Sequence, residues 1–171
     1  MLSGETANGE HPLAAVSIMA RICVEAESAI NFDGLYQAVR NSVLASYGFM
    51  DVTESLTSSA VKTALDINAK VIIVLSESGD TCRKVAKFRP PMPIVVLTPY
   101  ESTVRQSFGV LKNVTAEKVE TMLDSVKIID ELLGRMKASG KIVSGDPVVV
   151  VQGEHGVSVS GGTSIVRCLT A

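Results

Sequence analysis

Three short runs of aliphatic residues constrain the fold of this chain more than any other feature. They occupy residues 70–75, 93–97 and 147–152, and Val, Ile and Leu fill all but the end positions. Because apolar residues fill consecutive positions instead of alternating, both faces of each strand should be buried, as in a parallel sheet covered by helices. Hydrophobic residues reach 46% with only 4% aromatic and no Trp, which favours such aliphatic layers over a β-sandwich.

Amphipathic segments lie between and before these runs. Apolar residues recur at spacings of three and four over 12–30, where Pro12 stands near the first turn, and most regularly over 119–136. Asp51 and Glu54 have the spacing of a capping box, and Thr98 precedes Pro99 as a helix cap would. Helices are therefore predicted at 12–30, 35–45, 51–68, 81–88, 98–109 and 119–136.

Helix and strand alternate from residue 51 onward, which predicts an α/β fold. Residues 109–113 are a possible short third strand, and residues 163–169 form a closing one. Because the Gly/Ser-rich segment 153–162 contains no helix, the closing strand should run antiparallel to its predecessor. We expect an open, mostly parallel five-stranded sheet flanked by helices, with the last strand antiparallel. Residues 31–34 interrupt the helical pattern and predict a boundary between domains 1–30 and 31–171.

Composition excludes several classes of protein. The net charge is −2 with 20% charged residues, so a nucleic-acid-binding surface is not expected. No apolar stretch approaches the length that spans a bilayer, and we expect neither a membrane nor a nucleic-acid partner. Three widely spaced cysteines in apolar surroundings, Cys23, Cys82 and Cys168, predict buried free thiols in a reducing, cytoplasmic compartment.

The segment 76–81, Ser-Glu-Ser-Gly-Asp-Thr, follows the first aliphatic run and precedes a helix. Its hydroxyls, glycine and backbone amides could cradle a phosphate, with Ser76, Ser78, Gly79 and Thr81 as the binding residues. The alternative is a polar turn whose Thr81 or Asp80 caps the helix. No Lys or Arg lies within the segment, and its two carboxylates oppose an anion.

Other candidate residues are few. The Gly-rich segment 153–162, with Ser160 and Gly161, could fold against the first loop or could be a flexible connector. His11 and His155 lie outside any metal-ligand spacing, so both are predicted surface residues and no metal site is expected. Ser3 and Glu5 form a polar pair after an apparent strand, where barrel enzymes place working groups, although a disordered or repurposed terminus explains them equally well.

Several stretches, in register along the chain, are similar to those of a known family. Residues 1–9, Met-Leu-Ser-Gly-Glu-Thr-Ala-Asn-Gly, with Pro12 and Glu25-Ala-Glu27, resemble the last strand-to-helix passage of the catalytic barrel of the pyruvate kinase family. The remaining matches resemble its C-terminal domain: Val71–Leu75 with Ser76-x-Ser-Gly79, Phe88-Arg-Pro90 with Pro93-Ile94, Thr103-Val-Arg-Gln106, Gly109-Val110, Gly145-Asp146 and Ser160-Gly-Gly-Thr163 with Val166-Arg167. The resemblance covers nearly the whole chain.

The resemblance implies a glycolytic enzyme that transfers phosphoryl from phosphoenolpyruvate to ADP, giving pyruvate and ATP, with Mg²⁺ and K⁺. The family's metal and substrate residues lie upstream, and only Ser3 and Glu5 match its barrel residues, where the pair is proposed to help protonate enolpyruvate. The chain is therefore expected to be inactive alone and to hold no cofactor. Its expected partners are the remaining catalytic domain and further copies in a homotetramer.

The family's C-terminal domain also binds an allosteric effector, often fructose 1,6-bisphosphate. The matching positions are Ser76, Ser78, Gly79 and Thr81, with Ser160 and Gly161 on the second loop. Members activated by this sugar usually carry basic residues in the first loop and Trp and Arg in the second, whereas here the first loop carries acids and 153–162 contains neither Trp nor Arg. We expect weak or no binding of the bisphosphate.

Two other classes of function remain open from the residues. A stand-alone α/β module that binds a phosphate ligand would explain the loop without a catalytic partner. A small doubly wound hydrolase or reductase would share the fold, but the chain lacks a residue constellation for such chemistry.

Overall fold

The computed structural model describes residues 2–153 and 162–171. The chain divides into two compact units, Met1–Asn31 and Phe32–Ala171. The first contains helices α1 (Gly4–Asn8) and α2 (Pro12–Ser28). The second contains α3 (Phe32–Tyr47), α4 (Val52–Asp66), β1 (Val71–Leu75), α5 (Asp80–Lys87), β2 (Ile94–Thr98), α6 (Glu101–Val110), β3 (Val114–Lys118), α7 (Ser125–Ala138), β4 (Pro147–Gly153) and β5 (Thr163–Thr170).

The five strands form one sheet in the order β3-β2-β1-β4-β5. The first four strands are parallel, and β5 runs antiparallel to β4. At the centre, Val74 of β1 lies beside Val96 of β2 and Val151 of β4. The predicted five-stranded α/β fold with an antiparallel last strand is confirmed.

The core consists of two apolar layers, one on each face of the sheet. Ile72 and Val74 belong to the layer formed with Val61 of α4 and Phe88 after α5. Ile73 belongs to the opposite layer, with Leu132 of α7. Every residue of β1 and β2 is buried, because helices cover both faces of these strands. This two-sided burial is the reason that the strands are uninterrupted aliphatic runs.

The predicted third strand was wrong in position. Residues 109 and 110 end α6, and β3 begins four residues after the latter, at Val114. Only Val114 of this strand is buried, because β3 lies at the edge of the sheet. An edge strand faces solvent and carries polar residues, here including Glu117 and Lys118, so it lacks the aliphatic run that identifies a central strand.

Three helix starts also differ from the predictions. Helix α7 begins at Ser125 instead of 119, because the Asp124 side chain accepts a hydrogen bond from the Lys127 amide at 3.2 Å and caps the helix there. Helix α6 begins at Glu101, and Thr98 is the last residue of β2 instead of a cap. Helix α3 begins at Phe32, so the interruption predicted over 31–34 is shorter than expected.

The capping prediction at α4 is confirmed, since the Asp51 Oδ1 accepts the Glu54 amide at 2.7 Å. Glu54 does not reach back to the cap but pairs with Lys87 of α5. All three cysteines are free thiols. Cys82 is buried as predicted, whereas Cys23 and Cys168 are exposed, against the prediction. Their elements explain this, because α2 contains no buried residue and β5 is the second edge strand.

Among the described residues, no helix is long and apolar enough to cross a membrane. His11 is exposed, as predicted. His155 lies outside the described residues.

Candidate functional site

The loop between β1 and α5, residues 76–79, lies at the carboxyl edge of the parallel strands. The chain leaves β1 towards β2 on one side, and it leaves β4 towards β5 on the other. Ligands of open α/β sheets bind at such a switch point, outside the carboxyl ends of the strands. The sequence-predicted residues Ser76, Ser78, Gly79 and Thr81 therefore lie where the fold favours a binding site.

Hydrogen bonds inside the β1–α5 loop fix its conformation. The buried Ser76 Oγ accepts the Gly79 amide at 3.1 Å, and the Ser78 Oγ accepts the Asp80 amide at 3.3 Å. Gly79 has φ +78 and is the N-cap of α5, a left-handed conformation that favours glycine. Both serine hydroxyls act as acceptors here, so each retains a hydrogen that it can donate to a ligand.

Thr81 links the start of α5 to the start of β5. Its Oγ1 lies 2.7 Å from the Oγ1 of Thr163, and both side chains are buried. The N-cap of α5 is Gly79, so neither Thr81 nor Asp80 has the capping role of the alternative prediction. Since the first helical bond runs from the Arg83 amide to the Gly79 carbonyl, the Thr81 and Cys82 amides lack helical acceptors and point towards the loop.

The backbone of Glu77 anchors the loop to the neighbouring strand and helix. Its carbonyl accepts hydrogen bonds from Thr103 of α6 at 2.6 Å and from Thr98 of β2 at 3.3 Å. Sequence reasoning missed Thr98, Thr103 and Thr163 as loop-supporting residues. Only their positions beside strand ends or on a helix start could have suggested them, because each contact joins distant parts of the chain.

The charges around the loop are mostly paired. The Lys84 Nζ lies 3.0 Å from an oxygen of Asp51 and 3.5 Å from one of Asp80. Burial lowers the pKa of Lys84, but the hydrogen bond to Asp51 and the two nearby carboxylates outweigh it and raise that pKa. The hydrogen bond from the Glu54 amide, with the one from Lys84, lowers the pKa of Asp51. Lys84 is thus occupied by two carboxylates.

Glu77 and Arg83 are the charged residues near the loop without such a partner. In the described part of the chain, Glu77 has no cation within ion-pair distance and Arg83 no carboxylate. The Arg83 Nη2 donates only a long hydrogen bond, 3.4 Å, to the Oε1 of Gln106. The loop itself therefore keeps an acidic character, and Arg83 is the basic group positioned beside it.

A cleft of about 270 Å³ lies between α5 and α6, and we call it the α5–α6 cleft. Gly79 forms part of its wall, where an added Cβ would lie 3.2 Å from the Cγ2 of Thr103. The residues that line the cleft are Ser78, Gly79, Arg83, Thr103, Gln106, Ser107, Val110 and Leu111.

The other predicted site residues are not brought to this loop by any described contact. Ser160 and Gly161 lie outside the described residues. Ser3 and Glu5 belong to the first unit, where Ser3 is the N-cap of α1. The Glu5 Oε2 accepts the His11 amide at 3.2 Å. Within residues 2–153 and 162–171, no group of three or more His, Cys, Asp or Glu residues could hold a metal ion.

Comparison with known proteins gives a consistent result. The family model described as "Pyruvate kinase, alpha/beta domain" matches residues 54–169. Pyruvate kinase of Eimeria tenella is 36% identical over 171 residues, which are 99% of this chain and 31% of the relative. Pyruvate kinase of Dictyostelium discoideum is 36% identical over 173 residues, covering 99% and 33%.

Solved structures agree with the sequence relatives. A crystal structure of a pyruvate kinase from Cryptosporidium parvum matches with a TM-score of 0.84 and 34% identity, over 99% of this chain and 32% of that one. A structure of Cryptosporidium parvum pyruvate kinase in complex with ADP matches with a TM-score of 0.81 and 34% identity, over 99% and 33%. The chain spans about a third of the length of these relatives. It therefore belongs to the pyruvate kinase family and corresponds to the C-terminal α/β domain of those enzymes.

Proposed function

We propose that this chain is the regulatory and assembly domain of a cytoplasmic pyruvate kinase that acts in glycolysis. In the complete enzyme, phosphoryl would pass from phosphoenolpyruvate to ADP, giving pyruvate and ATP. The observation that carries the proposal is the match over 99% of this chain to about a third of each relative.

We propose that the chain alone does not catalyse phosphoryl transfer. Phosphoryl transfer needs metal ions and basic groups that position the phosphates, and the family resemblance places these in the preceding barrel. The described residues hold no group of three or more His, Cys, Asp or Glu residues that could bind a metal ion, and the family resemblance assigns Mg²⁺ and K⁺ to that barrel. Ser3 and Glu5 would complete the barrel's last strand-to-helix passage only when the rest of it is present. Pyruvate formation by the purified chain, free of host enzyme, would contradict this part.

The effector role of the β1–α5 loop is limited by charge. A bisphosphate brings two dianionic groups, and hydroxyls and amides alone leave that charge largely uncompensated. Glu77 has no cationic partner among residues 2–153 and 162–171, and Lys84 is occupied by Asp51 and Asp80. We propose that the loop binds fructose 1,6-bisphosphate weakly or not at all. At most, the hydroxyls of Ser76, Ser78 and Thr81 hold a single phosphate or sulfate.

Calorimetric titration of the 171-residue chain tests this effector role. The expected result is no micromolar binding of fructose 1,6-bisphosphate and, at most, weak binding of inorganic phosphate. Glu77→Lys should strengthen phosphate binding, because it replaces a repelling charge with an attracting one, whereas Glu120→Lys, an exposed acid outside the loop, should not. If Glu77→Lys binds no better than the parent, the missing charge is not the cause of weak binding.

The assembly role rests on the apolar side chains of α2. Val16, Met19 and Ile22 are all exposed, and α2 has no buried residue. Such a stripe is covered by other protein or frays in water. We propose that the missing barrel covers it in the complete enzyme, a homotetramer, and that isolated chains self-associate through it. A sedimenting monomer whose residues 12–28 resist hydrogen exchange would contradict this proposal.

A further inference from the structure

Among the described residues, the α5–α6 cleft is lined by a hydroxyl without a hydrogen-bond partner. Ser107 is only 3% exposed, it lines the cleft, and no hydrogen bond of its Oγ occurs among the described residues. By contrast, the nearby Thr103 hydroxyl donates to the Glu77 carbonyl at 2.6 Å. A hydroxyl can donate one hydrogen bond and accept others. The Ser107 hydroxyl is thus available to a ligand in the cleft.

The same cleft contains an available guanidinium. Arg83 has no carboxylate within ion-pair distance in the described part of the chain, and its one hydrogen bond, to Gln106, is long at 3.4 Å. The next residue, Lys84, differs from Arg83, because two carboxylates already compensate its charge. A guanidinium presents a rigid fork of donors that matches a carboxylate. One uncompensated positive charge suits a ligand with a single negative charge.

The other end of the cleft is apolar. Val110 is 80% exposed, and Leu111 lies beside it in the cleft lining. A ligand that covered Val110 would remove apolar surface from water. The volume of about 270 Å³ is near the lower limit of small-molecule pockets, roughly 300 Å³. The cleft therefore suits a molecule of a few heavy atoms with one polar and one apolar end.

We propose that the α5–α6 cleft binds a small monocarboxylate with a short branched apolar chain. The carboxylate would lie between Arg83 and the Ser107 hydroxyl, and the apolar chain would lie against Val110 and Leu111. The cleft shares Ser78 and Gly79 with the β1–α5 loop, but its anion-binding group is Arg83, on the side of α6. Binding of a monocarboxylate in this cleft would not require a phosphate bound in the loop.

Isobutyrate is a suitable probe, and isobutyramide is its neutral counterpart of the same shape. Titration of the isotope-labelled chain, followed by NMR, should give saturable shifts at Arg83, Ser107 and Val110, with a Kd of about 1–10 mM for so small a ligand. Isobutyramide should bind about tenfold more weakly, because it lacks the charge. Absence of saturable shifts up to about 100 mM isobutyrate, or equal binding of the amide, overturns the proposal.

Variants separate binding from folding. Arg83→Gln should weaken isobutyrate binding about tenfold, while Arg105→Gln, an exposed arginine of α6 outside the cleft, should leave it unchanged. Ser107→Ala should weaken binding about threefold or more without loss of thermal stability, because the hydroxyl has no partner to lose. Equal weakening by Arg83→Gln and Arg105→Gln, or a Ser107→Ala variant that is less stable but binds as well as the parent, refutes the site.

Discussion

The hydrogen bond between Thr81 and Thr163 gives a quantitative test of how the β1–α5 loop is held. It joins the first turn of α5 to the first residue of β5 at 2.7 Å, and the two residues are only 7% and 8% exposed. Replacing Thr81 with Val keeps the shape of the side chain but leaves the Thr163 hydroxyl buried without a partner. Such a loss should lower the free energy of unfolding by about 1–3 kcal/mol.

The double variant should behave differently from the two single ones. When both threonines become valine, no buried hydroxyl is left unpaired, so the cost should fall well below the sum of the single changes. Urea unfolding of the parent, both single variants and the double variant gives the coupling energy directly. Thr115→Val, at an exposed position of β3, serves as the control for the substitution itself and should change the unfolding free energy by less than about 0.5 kcal/mol.

Two results would refute the reasoning. Single variants that lose less than about 0.5 kcal/mol would show that solvent reaches these hydroxyls. Additive losses in the double variant would show that the two side chains do not interact, so β5 would not be tied to the loop through them.

Three further predictions concern α5 and its surroundings. The pKa of Asp51 is lowered, so the stability that its carboxylate contributes is present above its ordinary pKa of 3.8 and is lost as pH falls through the folded-state pKa. In acid unfolding, Asp51→Asn should therefore lose less folding stability than the parent. Gly79→Ala should cost about 1–2 kcal/mol in urea unfolding, because φ is +78, whereas Gly134→Ala in α7, with open space around it, should stabilise by about 0.5–1 kcal/mol. Burial raises the pKa of the Cys82 thiol to about 12, so a thiol reagent at neutral pH should modify two of the three cysteines in the folded chain, and a third only after unfolding.

The central strands could be predicted from the sequence because they are buried on both faces. Their aliphatic runs at 70–75, 93–97 and 147–152 lie within one or two residues of the observed β1, β2 and β4. The edge strand β3 could not be located in this way, since only Val114 needs to be apolar. The apolar periodicity over 119–136 likewise failed to locate the start of α7. Val119 is not helical, but it packs against the same core cluster as α7 and therefore extends the apolar pattern.

The position of the candidate site could be predicted from β1, but the residues that surround the site could not. Because the first aliphatic run predicts a central parallel strand, the residues that follow it must lie at the carboxyl edge of the sheet. The partners of those residues come from distant segments, as with Thr163, which is 82 residues after Thr81. The structure shows that Lys84 is paired with Asp51, 33 residues earlier. No regular spacing in the sequence predicts this contact.

The most direct test of the proposed function is the rate of pyruvate formation from phosphoenolpyruvate and ADP by two proteins. One is the purified 171-residue chain. The other is a chimera in which this chain replaces the matching third of the Eimeria tenella pyruvate kinase, to which it is 36% identical. We expect no turnover by the isolated chain and measurable turnover by the chimera, since the barrel would then supply the phosphoryl-transfer groups. Turnover by the isolated chain would contradict its assignment as a regulatory and assembly domain.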